Sequence, residues 1–170
     1  ADAKRLRLFV DDEPFLLEHA NLLHFDRILN MREGRLERNV IWETPAGKRV
    51  EIRSIRMVSF EHRHLAAVDY EVVVRNADAP VVLISEIVLP SVVLGDEAER
   101  AASQEPDPTK IDPRRSRNFS ERVLIPEIQL CEDKRIILGH RTRNSGMTNA
   151  CGIDHVVQTE CEYSTEGHCE

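Results

Sequence analysis

His62 and His64 lie two residues apart within the segment Ser59-Phe60-Glu61-His62-Arg63-His64-Leu65. In an extended chain that spacing puts both imidazoles on one side, where zinc or copper could be bound. Two ligands do not fill a coordination sphere, and no Asp, Glu or Cys follows at strand spacing to complete it. The expectation is therefore the polar tip of a hairpin rather than a metal centre. Cys151, His155, Cys161, His168 and Cys169 form a second collection of metal-binding types, but they contain no Cys-x-x-Cys pair, and Cys131 stands apart. No glycine-rich phosphate loop, Gly-x-Ser-x-Gly elbow or His-Glu-x-x-His pair occurs. The 30 Asp and Glu residues offer many carboxylate pairs for glycosidic chemistry, but that chemistry depends on a spatial separation which sequence spacing does not encode. No catalytic, cofactor-binding or metal-binding residue is assigned.

The elements that would position these groups read as strands. Leu36, Val40 and Trp42 share one parity while Glu37, Asn39 and Glu43 take the other, and Ala66, Val68, Tyr70, Val72 and Val74 face away from Asp69, Glu71 and Arg75. Turn chemistry separates such runs at Asp11-Asp12-Glu13-Pro14, Arg32-Glu33-Gly34, Thr44-Pro45-Ala46-Gly47 and Asn76-Ala77-Asp78. The run from Lys48 to Phe60 is long for one strand. A bulge near Arg53 and Ser54 would bring Val50, Ile52, Ile55 and Met57 onto one face. Val81 to Leu89 is apolar at both parities, which predicts an interior strand covered on both faces. Gly95 to Pro113 is acidic, holds three of the eight prolines and reads as a long loop. Strands resume over Arg122 to Leu130 and Ile136 to Thr142, around the turn Cys131-Glu132-Asp133-Lys134.

At 170 residues with 41% hydrophobic and 31% charged residues, the chain fits one globular domain. No apolar run approaches the ~20 residues of a membrane-spanning helix, so no membrane partner is expected. The net charge is −7, and residues 76–170 carry 10 basic against 17 acidic groups. This argues against nucleic acid. Arg114-Arg115-Ser116-Arg117 is the one basic cluster and reads as a solvated segment, and Asn118-Phe119-Ser120 fits a glycosylation pattern that carries no weight without secretion. Four sparse cysteines predict reduced thiols and a cytoplasmic location.

Three stretches carry a family resemblance. "ILNMREGRLERNVIWETPAGKRVEIRSIRMVSFEHRHLAAVDYEVVVRN" is similar to an L-D-M-R-x-G-x-L-x-R turn followed by an arginine-rich hairpin. Within it, "RVEIRSIRMVSF" is similar to a strand v-x-v-x-S-x-R-f-v-S, and "ILGHRTRNSGMTNACGIDH" to a strand L-x-x-x-T-x-x-S-G-x-x-x-A. Together, over about Arg5 to His155, they resemble the N-terminal domain of glycoside hydrolase family sixty-five, which comprises maltose, trehalose and kojibiose phosphorylases and related hydrolases. The resemblance implies a parent enzyme that cleaves an α-linked glucoside with inversion. In it an acid protonates the leaving oxygen while phosphate, or water in the hydrolases, attacks the anomeric carbon. It also implies that the catalytic acid and the phosphate site lie in a downstream (α/α)6 barrel, which is not in this chain.

The expected fold is all-β, a large antiparallel β-sandwich or supersandwich with one long acidic loop and little helix. Residues 1–170 are expected to form a single, partial N-terminal domain. The expected function is a noncatalytic scaffold and interface domain, with no cofactor. Its expected partners are the catalytic domain of the same parent chain and other copies of itself, with phosphate and disaccharide bound only in the parent. The alternatives are a free-standing carbohydrate-binding module, disfavoured by a lone Trp42 that shares the core parity, and a small metal-binding protein.

Overall fold

The computed structural model describes residues 2–88 and 124–169. The acidic stretch at 95–113, the arginine cluster at 114–117 and the Asn-Phe-Ser triplet at 118–120 lie outside the described residues. Ten strands and no helix occur among those described, in three antiparallel sheets. The fold is all-β, as expected, and comprises two compact units, Arg7–Ile84 and Ala1–Leu6 with Ser85–Glu170.

The first unit is built on four antiparallel strands in the order β3-β4-β5-β6, namely β3 (Asn21–Asn30), β4 (Arg35–Glu43), β5 (Arg49–Val58) and β6 (Ala66–Val74). Val40, Trp42, Val50 and Ile52 project from the central pair and are at most 3% exposed. They pack on Leu8 and Val10 of β1 (Asp2–Val10), and Phe15, just beyond β2 (Glu13–Pro14), sets its ring 5.3 Å from that of Trp42. Two sheet layers thus enclose one core, with each fully buried aliphatic contributing about 1.5–3 kcal/mol. The parity reading of Val40 and Trp42 holds.

Turn residues account for the connections. Asp11 and Asp12 adopt φ of 50° and 65°, and Val10 pairs with Glu13, which is the two-residue turn that matches strand twist. Asn30 closes the β3–β4 turn by accepting the backbone N–H groups of Arg32 and Glu33 at 3.2 and 3.1 Å, and Gly34 supplies φ 67°. Thr44 Oγ1 accepts the Lys48 N–H at 3.1 Å, while Asn76 Oδ1 accepts the Arg49 N–H at 2.7 Å. Lys48 Nζ then joins three turns, 2.6 Å from Asp11 Oδ2 and 2.8 Å from the Asp78 carbonyl.

Two expectations are corrected here. β5 runs without a bulge, in continuous register with β4 from Arg49 to Met57 and with β6 from Val50 to Val58. Val50, Ile52 and Ser54 are buried on one face, whereas Ile55 is half-buried and Met57 45% exposed. A bulge in a central strand would break two ladders at once. The irregularities sit instead in strands that have one neighbour each among the described residues, between Leu22 and His24 in β3 and between Pro126 and Ile128 in β8. β7 (Val81–Val88) is the second correction. In the order β2-β1-β7 it is an outer strand among the described residues, and Val81, Val82 and Leu83 are 43–50% exposed. An apolar run at both parities requires a layer on each face, and among the described residues these three are not covered.

In the second unit, β8 (Leu124–Glu132), β9 (Arg135–Thr142) and β10 (Thr148–Asp154) form an antiparallel sheet in the order β10-β9-β8. The β8 bulge falls beside Pro126, which has no N–H to give to a ladder. Gly139 lets β9 and β8 approach closely, since a Cβ there would lie 3.1 Å from Ile128 Cβ, tighter than an ordinary contact. Leu138 and His140 are the buried side chains of β9.

Candidate functional site

The hairpin tip between β5 and β6 is held by its backbone. The Ser59 N–H donates to the Leu65 carbonyl at 3.0 Å, the Leu65 N–H to the His62 carbonyl at 2.8 Å, and Ser59 Oγ accepts the His62 N–H at 2.9 Å. Both imidazoles are exposed. The turn needs neither ring to close, and among the described residues no group of three metal-ligating side chains converges there or elsewhere.

The cysteine-rich end folds back on the β8–β9 hairpin. His155 is a backbone tie, its N–H and Nδ1 lying 2.9 and 2.7 Å from the Lys134 carbonyl. Lys134 Nζ donates to the Tyr163 hydroxyl at 3.0 Å, which raises the ammonium pKa, and Thr165 Oγ1 donates to Asp133 Oδ1 at 2.9 Å. Gly167 packs so closely on Cys131 that a Cβ would lie 2.9 Å from its Sγ. Local desolvation, and then a hydrogen bond with Cys131, raise the Cys169 thiol. All four cysteines are free thiols.

Several carboxylates that acid–base chemistry could draw on serve ion pairs instead. Glu37 lies 2.7 Å from Arg35, Glu127 2.7 Å from Arg141 and Asp154 2.6 Å from Arg135, and Glu51 is paired with Arg75. Trp42, 3% exposed, offers no ring face to a sugar.

The sheet β3–β6 also gathers a cluster of arginines on its core face. Among the described residues, the face that holds the core is covered at one end only. Toward its other end Arg27 of β3 stands opposite Arg38 of β4, Arg38 opposite Ser54 of β5, and Ser54 opposite Tyr70 of β6. Arg56 follows on the same side of β5, between Leu36 and Val68. Burial pushes the Tyr70 phenol above its ordinary value, and the positive charges of Arg38 and Arg56 partly oppose that rise. Parity carried a signal for this cluster, since Arg38 alternates in step with Leu36, Val40 and Trp42. The bulge expected in β5 would have turned Arg56 to the other face.

The sequence matches the family described as "Glycosyl hydrolase family 65, N-terminal domain" over residues 1–169. An uncharacterized glycosyl hydrolase of Mycobacterium tuberculosis is 35% identical over 161 residues, covering 92% of this chain and 18% of that protein. An alpha,alpha-trehalose phosphorylase of Thermoanaerobacter brockii is 30% identical over 170 residues, covering 100% of this chain and 20% of that protein. A kojibiose phosphorylase of Caldanaerobacter subterraneus is 33% identical over 66 residues, covering 39% of this chain and 9% of that protein. The chain spans about a fifth of the length of the first relatives it matches.

Proposed function

This chain belongs to glycosyl hydrolase family 65, as its N-terminal domain, and from that premise we propose that it is a noncatalytic scaffold and interface domain of a longer glycoside phosphorylase or hydrolase. One observation carries the reading. The match is to an N-terminal domain and runs through residues 1–169, while the aligned relatives are about five times as long. Ion-paired carboxylates, a buried Trp42 and imidazoles at a hairpin tip support a structural role. The parent is proposed to act on an α-linked glucosyl disaccharide such as trehalose, kojibiose or maltose, in the cytoplasm, with a catalytic domain on the same polypeptide. Residues 1–170 are proposed to act as one partial domain of it, and self-association is proposed through strand edges. No helix among the described residues is long and apolar enough to cross a membrane.

The test is to incubate the purified 170-residue chain with trehalose, kojibiose and maltose, each with and without inorganic phosphate, and to follow glucose and glucose 1-phosphate. Neither product is expected above a buffer blank. Turnover that disappears when a carboxylate of this chain is replaced would overturn the proposal. Saturable binding of these sugars without turnover would replace it with a carbohydrate-binding module.

A further inference from the structure

The uncovered end of the β3–β6 core face combines two properties that are unfavourable in water. It is apolar, with Phe25 45%, Leu29 59%, Val58 63% and Val68 45% exposed. It is also cationic without compensation. Arg27, Arg38 and Arg56 share this face with no Asp or Glu, whereas the reverse face carries Asp26, Glu37, Glu51, Asp69 and Glu71. Arg27 stands directly opposite Arg38, an arrangement that destabilises a sheet. None of the three forms an ion pair among the described residues, and Arg38 Nε is buried with no hydrogen-bond partner. An orphaned guanidinium N–H beside exposed apolar side chains is costly unless an acceptor arrives with a cover.

We propose that this face docks an apolar polypeptide segment carrying an acidic side chain, whose carboxylate is received by Arg38 and Arg56 beside the Tyr70 hydroxyl. The guanidinium fork matches a carboxylate, and pairing in a desolvated setting is stronger than at an open surface. A second copy of this chain is a poor occupant, because it would bring two such arginine clusters together. The proposal deepens the scaffold reading and rests on it, since the occupant is polypeptide of the longer enzyme. It can fail while that reading stands.

The experiment uses the 170-residue chain and fluorescein-labelled nine-residue peptides that alternate threonine and valine around a central Asp, Asn or Lys. Binding is read by fluorescence anisotropy. The Asp peptide is expected to bind at least about tenfold more tightly than the Asn or Lys peptide, as a charge-assisted pair requires. Added salt should erode that preference, and Arg38→Met or Arg56→Met should abolish it. Equal binding of the three peptides, or binding of none, would overturn the proposal. So would a dimer that covers Arg38 and Arg56, which pairing along the β3 edge would leave open. The peptide comparison is made on the unmodified chain, so the result does not depend on whether the arginine variants fold.

Discussion

Tyr70 links the stability of the four-stranded sheet to alkaline pH. Its phenol is raised above 10.0 in the folded chain because burial disfavours the phenolate, with Arg38 and Arg56 opposing part of the rise. A folded pKa above the unfolded one means that the folded state holds the proton more tightly. The stabilising contribution is therefore complete below the unfolded value of about 10 and is lost as pH rises through the folded value. Tyr70→Phe should flatten the loss of stability above about pH 10, read as urea midpoints across a pH series. An unchanged alkaline limb would show that the phenol is not held neutral by burial. At this scale the turns were the most legible feature, since Asp11, Asp12, Gly34 and Gly47 all adopt the positive φ that their residue types favour. The role of Arg38 was not legible, because an arginine at core parity can reach solvent as easily as it can wait for a partner.

At the level of elements, strict alternation was a faithful guide and inferred irregularity was not. β4 and β6 occur where parity placed them, with Val40, Trp42, Val72 and Val74 on the core side. β3 was missed, because Asn21 to Asn30 mixes apolar and polar residues at both parities and its bulge shifts the pattern midway. A bulge in β5 would gather four apolar residues on one face, but the sheet buries Ser54 in that series and leaves Ile55 on the reverse side. The distinction is measurable. Ile52→Ala should cost about 2–5 kcal/mol, the range for a fully buried aliphatic side chain, while Ile55→Ala should cost nearer 1 kcal/mol. Comparable losses at the two positions would restore the bulge.

On the scale of the whole molecule, the balance of charge and open backbone bears on association. A net charge of −7 disfavours approach of like copies at low salt, so self-association must come from short-range pairing. β3 and β6 end the four-stranded sheet among the described residues, and β8 and β10 end the three-stranded one. Each such strand presents unpaired N–H and C=O groups to a neighbour. β3 is the most exposed to this hazard. It has ten residues, with Leu23 48%, Ile28 51% and Leu29 59% exposed, and no proline interrupts it. The chain is expected to associate in a concentration-dependent manner through this edge. Added salt should strengthen the association by screening the net charge. Ile28→Lys places a charge on the strand without touching the core, and should shift sedimentation equilibrium toward the monomer at every concentration tested. The same substitution lies on the reverse face from Arg38, so it should leave the preference for an acidic peptide intact. A variant that stays as associated as the parent chain would move the contact away from β3, and a parent chain that is monomeric up to millimolar concentration would remove edge pairing from the account altogether.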